Sequence, residues 1–396
     1  MAGDTISVYY GEMLTSPIPL ELSFNYCSHG CRFCFANLNK RDRRADIQAT
    51  MRLLASYRER SSFEAQLLQD GYPVLVSNRV DPFAHSNYQQ SVPVMRLMSE
   101  MGIPIAVQTR GGRGVEEAME FLPPSVWYVS IHTLDEVTRK DVEPGAPSIE
   151  SRFELVQNLV QRGHRVVIGC NPVVREWLPE PAELFARAKS CGAEGAWIEM
   201  LHFNYKQVAK MTQADKDKIT FPIIERSGQR KRDSADVRHF EMARHDACEA
   251  GLAVFSIGQP TRSDFFKPYR ELYQKTFPVV QDFVNFAHDT DRLEYWFDDY
   301  AEVMLGMPQG VRPYGHVLGA TAHQIMRERR LGNNMDAEQF LRLSWNEPQM
   351  KQCPARIPCF AYVGYGADAE ADSDGMGIMA FRRAGFDSLY FDQEAK

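Results

Sequence analysis

Long apolar runs are missing from this chain. No stretch approaches the roughly 18 consecutive apolar residues that a membrane-spanning helix requires. The N-terminal residues MAGDTIS lack the basic start and the apolar core of a secretory signal peptide. We therefore expect a cytoplasmic protein with no membrane partner.

A surplus of positive charge is also missing. The 396 residues include 45 Lys and Arg against 52 Asp and Glu, so the formal net charge is -7. Domains that coat nucleic acid through charge alone are usually basic, so this class is disfavoured, although a local basic groove is compatible with the total. The 8 cysteines, in a reducing compartment, are expected to be ligands or buried thiols and not disulfides.

Short apolar, β-rich runs alternate with longer helical patterns. The expected strands cover residues 20–26, 73–77, 103–109, 127–132, 165–170, 196–201 and 252–257, and the expected helices include 47–68, 88–101, 149–162 and 181–190. Strand–helix alternation predicts a parallel sheet covered by helices. The fold class is therefore α/β, a partial or full parallel (β/α) barrel, whose chemistry is expected at the C-terminal ends of the strands.

The character of the sequence changes after residue 258. Prolines punctuate the chain, and aromatic residues become dense from Phe265 onward. We predict one domain at residues 15–258 and a mostly helical, aromatic-rich region at 259–396, which would serve as a lid or substrate domain.

The strongest motif is CSHGCRFC at residues 27–34, directly after the first expected strand. Its three thiols, Cys27, Cys31 and Cys34, are close enough to hold three corners of one iron–sulfur cluster. One iron would then stay open to an exogenous ligand, as in catalytic metal sites. The alternative is a zinc site that adds His29, although zinc loops more often use two distant pairs of ligands.

The C-x3-C-x2-C spacing, followed by aromatic Phe35, resembles the radical S-adenosylmethionine (SAM) superfamily. The resemblance implies that Cys27, Cys31 and Cys34 bind a [4Fe–4S] cluster whose fourth iron chelates SAM. It implies an electron donor of the flavodoxin or ferredoxin type, reductive cleavage of SAM and a 5′-deoxyadenosyl radical. The cofactors would carry the difficult chemistry, and the protein would orient them.

Four further segments resemble the spore photoproduct lyase-like branch of that superfamily: VSNRVDP at 76–82, VSIHTLD at 129–135, VEPGAPS at 142–148 and VIGCNP at 167–172. The resemblance covers about residues 18–205. It implies that Phe33 and Phe35 flank the adenine, that Ser77 or Asn78 contacts the SAM amino group or the substrate, and that Ser130 and His132 lie near the ribose.

Arg152 would pair with the SAM carboxylate, a task that suits a guanidinium group. Each assignment has a structural alternative. Ser130 would simply face the barrel interior, Arg152 would form a surface ion pair, and residues 143–147 would be only a turn that enters a helix, with Ser148 as its N-cap.

One departure from that branch concerns the hydrogen donor. Photoproduct lyases return a hydrogen atom from a cysteine just after the second strand, yet no cysteine lies between Cys34 and Cys170 here. Repair by that route is therefore disfavoured. Cys170 is the candidate hydrogen donor, with a buried inert thiol as the alternative.

For the substrate, we predict a nucleobase, specifically a thymidine derivative in DNA that is rearranged or hypermodified, as in bacteriophages; the enzyme would then work in the host cytoplasm. Basic runs at residues 40–44 and 226–232 would grip phosphates, or simply form a solvated surface. The alternatives are a radical enzyme for a small metabolite or peptide, lyase-type DNA repair, and a non-enzymatic protein with a structural metal. Cys353 and Cys359 raise the further option of an auxiliary cluster.

Overall fold

The computed structural model describes residues 3–4, 6–8, 16–24, 26–38, 45–77, 79–229, 233–256, 261–306, 365–367 and 381–383. The basic run at 40–44, residues 230–232 of the second run, Asn78, Cys353 and Cys359 lie outside these residues.

The described residues contain one large sheet of eight strands in the order β10-β9-β8-β7-β6-β5-β3-β2. Seven strands are parallel, and β2 pairs antiparallel with β3 at one end. The α/β fold predicted from the alternation of strands and helices is thereby confirmed. The strands are β2 Ile6–Val8, β3 Leu20–Leu22, β5 Val74–Val76, β6 Ile105–Thr109, β7 Val126–Ser130, β8 Arg165–Val173, β9 Gly195–Met200 and β10 Ala253–Phe255.

Two smaller sheets complete the strands of the described residues. The parallel pair is β1 Gly3–Asp4 with β4 Ala45–Asp46, and the antiparallel sheet joins β11 Glu294–Tyr295, β13 Phe381–Arg383 and β12 Tyr365–Ala367.

Most helices occupy the crossovers of the large sheet, and the last three follow its final strand. They are α1 Phe35–Leu38, α2 Ile47–Ser56, α3 Phe63–Gln69, α4 Tyr88–Glu100, α5 Val115–Phe121, α6 Glu136–Val142, α7 Ile149–Gln161, α8 Pro181–Ser190, α9 Tyr205–Lys210, α10 Gln213–Ile219, α11 Phe221–Gly228, α12 Ser234–Glu249, α13 Lys267–Leu272, α14 Val280–Thr290 and α15 Phe297–Gly306. No helix of the described residues is long and apolar enough to cross a membrane.

Capping residues explain where several helices begin. Ser148 accepts a hydrogen bond from the Ser151 amide and starts α7, as its sequence position predicted. The single helix predicted over residues 47–68 is wrong. A 3₁₀ turn at Tyr57–Glu59 interrupts it, and Ser62 then caps a new helix, α3.

The parallel strands are buried on both faces. On one face, side chains such as Val107, Trp127 and Ile168 pack against helices in the main core. On the other, which we call the inner face, Leu75, Ala106, Tyr128 and Val167 form a second core. This two-sided burial is typical of parallel sheets and produces near-continuous apolar strands.

The aromatic segment after residue 258 closes one end of the inner face. Phe265 lies where a Cβ on Gly195, the first residue of β9, would be 2.9 Å from its ring. The Tyr273 hydroxyl donates to the Ile105 carbonyl and accepts from the Val126 amide, both at strand starts. These aromatic residues therefore lie at the N-terminal ends of the strands. The role of residues 259–396 as a lid or substrate domain stays a prediction, because most of them lie outside the described residues. The predicted domain boundary stays a prediction.

Candidate active site

The C-terminal ends of the parallel strands bring four loops to one edge of the sheet. The cysteine loop follows β3, Asp81 follows β5, Arg110 follows β6 and His132 follows β7. The sequence predicted chemistry at this edge. Residues separated by more than a hundred positions meet there.

The cysteine loop is a compact series of turns. The Gly30 amide donates to the Cys27 carbonyl at 3.4 Å, and the Cys34 amide donates to the Cys31 carbonyl at 3.1 Å. Gly30 has a φ of 64°, a left-handed conformation that glycine adopts without strain. Cys27 and Cys31 are buried, whereas Cys34 is partly exposed. Helix α1 begins directly after Cys34.

The environment of the loop favours protonated thiols. Burial, followed by the negative charge of Asp81, raises the pKa of Cys27 to about 12. Burial also raises the pKa of Cys31, against the opposing charge of Arg110. The charges of Cys34 and Cys27 contribute to the raised pKa of Cys31 as well. A metal that binds here must displace protons from the sulfurs.

Glu143, in the turn after α6, is the hub of a buried charge network. Its carboxylate accepts from Arg110 Nε at 2.5 Å and lies 2.7 Å from Arg152 Nη2 and 3.4 Å from His132 Nδ1. The Cys31 Sγ atom is 3.8 Å from the same carboxylate. Burial opposes its negative charge, but Arg152, His132 and Arg110 together hold the pKa of Glu143 well below its usual range. The network thus connects the cysteine loop to β6, β7 and α7.

The two arginines of this network differ in access. Arg152 is 1% exposed, and its guanidinium donates to the carbonyls of Ser130 and Pro147 besides pairing with Glu143. The Arg110 side chain is 21% exposed. The charges of Cys31 and Glu143 raise the pKa of Arg110 despite its burial. Arg152 therefore braces Glu143, while Arg110 presents a cation beside the cysteines.

His132 is fully buried among aromatic rings. Its ring centroid lies 5.1 Å from that of Phe33 and 5.7 Å from that of Trp177. Burial lowers the pKa of His132 to about 4, against the opposing charge of Glu143. Among the described residues, neither ring nitrogen has a hydrogen-bond partner. A neutral imidazole with unsatisfied nitrogens is a ready partner for a polar ligand.

The remaining predicted ligand-binding residues lie at the same edge. Ser77 is buried, and its hydroxyl accepts from the Arg79 and Val80 amides at 3.4 and 3.3 Å, so it stabilises its own turn. Ser130 is also buried at the end of β7. Phe35 is 44% exposed on α1.

Cys170, the predicted hydrogen donor, faces away from this site. Its side chain belongs to the main core with Ile168 and Ile198, on the helix-covered side of the sheet. Burial raises the pKa of Cys170 to about 12. This placement argues against hydrogen donation and agrees with the alternative of a buried inert thiol.

Tyr128, on β7, points to the inner face of the sheet, and its side chain reaches β8. A Cβ on Gly169 would lie 1.9 Å from the Tyr128 Cζ and hydroxyl oxygen, so the phenol ring crosses the backbone of β8. Burial, and then the charge of Glu199, raises the pKa of Tyr128. Glu199 accepts a hydrogen bond of 2.9 Å from the Asn171 amide group. The inner face therefore carries polar groups next to the site.

Sequence reasoning missed Asp81, Arg110 and Glu143 as site residues, although all three follow expected strands or lie in the quoted motifs. Their position directly after strands was a usable signal. The ion pairs that these residues form gave no signal in the sequence, because each pair joins two loops that are distant along the chain.

Residues 22–187 match the family model described as Radical SAM superfamily. A curated relative, Uncharacterized protein ORF301 of Acidianus two-tailed virus, is 26% identical over 194 residues, which cover 44% of this chain and 64% of the relative. The match thus spans less than two thirds of that relative's length.

Solved structures with lower identity are similar as well. Spore photoproduct lyase complexed with dinucleoside spore photoproduct has a TM-score of 0.43 at 13% identity, covering 63% of this chain and 81% of that chain. SuiB of Streptococcus suis bound to S-adenosylmethionine has a TM-score of 0.40 at 18% identity, covering 63% and 51%.

The residues at this edge fit the cofactors of the matched family, a [4Fe–4S] cluster and SAM. Thiolates are the usual cluster ligands, and Arg110 supplies a positive charge beside Cys31 and Cys34. No group of three or more His, Cys, Asp or Glu side chains within the described ranges is placed to hold a metal ion. For a [4Fe–4S] cluster the three sulfur atoms need not meet at one metal ion, because each thiolate binds a different iron. The unsatisfied His132 nitrogens lie next to Phe33, in the same loop.

Proposed function

We propose that this chain, whose residues 22–187 match the radical SAM superfamily model, is an enzyme of the radical SAM type that rearranges or modifies a nucleobase, specifically a thymidine derivative in DNA. Cys27, Cys31 and Cys34 would hold the cluster. When bound, the cluster and SAM would supply the radical chemistry that abstraction of a hydrogen atom from the substrate requires.

The protein residues around the cysteines would position SAM. Phe33 and Trp177 supply apolar faces for the adenine, and the neutral His132 ring supplies a hydrogen-bonding partner between them. Arg110, whose side chain is partly exposed and whose charge acts on Cys31 and Cys34, is suited to the SAM carboxylate. Arg152 would act through Glu143, because its own donors are already engaged.

The observation that carries the nucleobase proposal is a set of exposed aromatic side chains on loops at the same edge. Tyr26 precedes Cys27 and is 55% exposed, Phe35 begins α1, and Tyr205, which begins α9 after β9, is 79% exposed. Lys206 Nζ lies 5.8 Å from the centroid of the Tyr205 ring. Unstacked bases bind to exposed aromatic rings, and cations next to them bind the phosphates.

Arg226 is the one basic residue of its run that lies within the described residues. Arg226, which begins the run at 226–232, pairs with Asp236 at 2.8 Å and with Glu176 at 2.6 Å. Its charge is therefore neutralised within the protein. The nucleic-acid proposal rests on the aromatic side chains and Lys206, not on this run.

The positions of the other described cysteines favour a rearrangement over a repair reaction that needs a cysteine as hydrogen donor. Cys170 lies on the helix-covered side, and Cys191 and Cys248 belong to the end of α8 and to α12. A rearrangement leaves the number of hydrogen atoms in the substrate unchanged, so it would need no hydrogen atom from a cysteine of this chain. This reasoning supports the isomerase type over the lyase type.

The test is anaerobic incubation of the reconstituted enzyme with SAM, a reductant and DNA that carries candidate thymidine derivatives, followed by mass analysis of nucleosides. We expect a new or rearranged nucleoside only with the complete mixture. If the nucleosides stay unchanged with every DNA while a peptide or metabolite is converted, the nucleobase proposal is wrong.

Binding gives a second, independent readout. Replacing Tyr205 by Ala should weaken binding of single-stranded DNA by roughly 1–3 kcal/mol for the lost stacking, and replacing Lys206 by Gln should weaken it through the lost positive charge. Lys267→Gln removes the same charge from α13, at the opposite end of the strands, and serves as the matched control. Equal losses in Lys206→Gln and Lys267→Gln would show that only general charge matters.

A further inference from the structure

His29 lies in the middle of the cysteine loop, between Cys27 and Cys31, yet its ring points into the protein. It is 2% exposed. Its Nε2 atom lies 3.3 Å from Asp81 Oδ2, and its Nδ1 atom lies 2.9 Å from the Gly145 carbonyl oxygen. Because the ring points inward, it connects the cysteine loop to the two residues that its nitrogens contact, Asp81 and Gly145.

Asp81 is itself held by the end of β6 and by its own loop after β5. Its Oδ1 accepts from the Thr109 hydroxyl and from the Phe83 amide, both at 2.9 Å, and its Oδ2 accepts from the Arg110 amide at 2.6 Å. The carboxylate is buried. Hydrogen bonds of an ionised acceptor are about twice as strong as neutral ones, so Asp81 is a rigid anchor between β5 and β6.

Gly145 forms the other side of this arrangement. Its amide donates to the His29 carbonyl at 2.8 Å, and its own carbonyl oxygen lies 2.9 Å from the Nδ1 atom of the His29 ring. A Cβ at position 145 would lie 2.3 Å from the Ser28 carbonyl oxygen, so the turn approaches the loop too closely for a side chain. The loop is thus held between the strand ends and the turn before α7.

We propose that His29 and Asp81 are positioning residues that preorganise the cysteine loop for its cluster. The pair would hold the segment between Cys27 and Cys31 against the loop after β5 and the end of β6, which limits the conformations from which the cysteines bind the cluster. Residues that orient ligands in this way are usually worth about 10- to 100-fold in metal affinity. This inference rests on the radical SAM assignment and does not depend on the proposed DNA substrate.

Two amide variants separate the two contacts of the ring. The glutamine amide nitrogen can replace Nε2, so His29→Gln keeps the contact with Asp81. The asparagine amide nitrogen replaces Nδ1, so His29→Asn keeps the bond to Gly145 and loses Asp81. His85→Asn, at an exposed histidine of the neighbouring loop, is the matched control.

Each full-length variant is reconstituted anaerobically, and the iron content, the rate of cluster loss to a chelator and the electron paramagnetic resonance spectrum with SAM are measured. We expect His29→Asn to lose its cluster about 10-fold faster or more, with an altered spectrum. His29→Gln and His85→Asn should stay near the parent. Equal behaviour of the Asn and Gln variants, or loss only in His29→Gln, overturns the proposal.

Hydrogen exchange on the cluster-free protein provides a measurement that needs no loaded enzyme. The amides of residues 27–34 should exchange faster in His29→Asn and in Asp81→Asn than in the parent, while those of β7 stay protected. Unchanged exchange of these loop amides in both variants overturns the proposal even if either variant binds less iron. Substrate turnover enters neither measurement, so failure here is distinct from failure of the nucleobase proposal.

Discussion

The Arg152 Nη2 atom lies 2.7 Å from the Glu143 Oε2 atom, and both side chains are almost completely buried. Glu143 also accepts from Arg110, so one carboxylate balances two guanidinium groups. Removing one member of such a group leaves an uncompensated buried charge, which costs far more than the pair itself contributes.

We therefore expect Glu143→Gln to destabilise the cluster-free protein by about 3–5 kcal/mol, measured by urea unfolding. Glu150→Gln is the control, because Glu150 pairs with Arg187 at the surface with its side chain 65% exposed. Its expected cost is below about 1 kcal/mol. Similar small losses in both variants would show that Glu143 is not the hub of the network.

The three loop cysteines should each be required for the cluster. Replacing Cys27, Cys31 or Cys34 by Ala should abolish formation of 5′-deoxyadenosine and the absorbance of the reconstituted cluster, because a cluster needs every thiolate. Cys248→Ala, at an exposed cysteine of α12, should leave both unchanged. Product formation by any of the three loop variants would contradict the assignment.

Cys170→Ala should affect folding and not chemistry. The thiol lies in the core between the sheet and the helices, so its loss should cost about 1 kcal/mol of stability through a small cavity. The amount of 5′-deoxyadenosine formed per folded enzyme should equal that of the parent. Loss of product conversion with unchanged SAM cleavage would restore Cys170 as the hydrogen donor.

Position 169 has no room for a side chain, because the Tyr128 ring lies against its backbone. A methyl group at position 169 would occupy the place of the phenol ring, so Gly169→Ala should cost about 1–3 kcal/mol. Gly228→Ala is the control, since its Cβ would meet only the Phe203 carbonyl oxygen at 3.6 Å.

A double variant tests the cause. In a Tyr128→Ala background the ring is gone, so adding Gly169→Ala should cost little, and the two changes should be strongly non-additive. Additive losses would mean that the glycine is required for another reason.

His164 should make stability depend on pH. Burial, and then the charge of Arg162, lowers the pKa of His164 from 6.5 to about 4, and its Nδ1 accepts a hydrogen bond from the Ser125 amide. Between pH 6.5 and 4 the unfolded chain binds a proton that the folded protein excludes. Stability from this residue is therefore complete above pH 6.5 and falls as the pH decreases towards 4, by roughly 3 kcal/mol at most.

The measurement compares urea unfolding of the parent and of His164→Asn from pH 4 to 7.5. The difference between the two free energies of unfolding should shrink as the pH falls, because the parent alone loses this contribution. A difference that is constant across the range would contradict the prediction.

The sequence by itself determined the order of strands and helices and the position of the cysteine loop. All seven parallel strands lie where apolar runs predicted them, and α8 matches its predicted bounds. These features depend on local patterns and on spacing along the chain, so they can be read without a fold. Where a local breaker was overlooked, as at Tyr57–Glu59, the prediction of one long helix was wrong.

Only the tertiary structure decided which face each strand residue occupies and which charges meet. Strand β8 is apolar on both faces, so its sequence gives no sign that Cys170 packs under helices while Gly169 lies beneath Tyr128. Likewise, Asp81 reaches His29, and Glu143 reaches Arg110, across separate loops. Parallel strands place their C-terminal ends at one edge, and that arrangement joins residues that no sequence spacing connects.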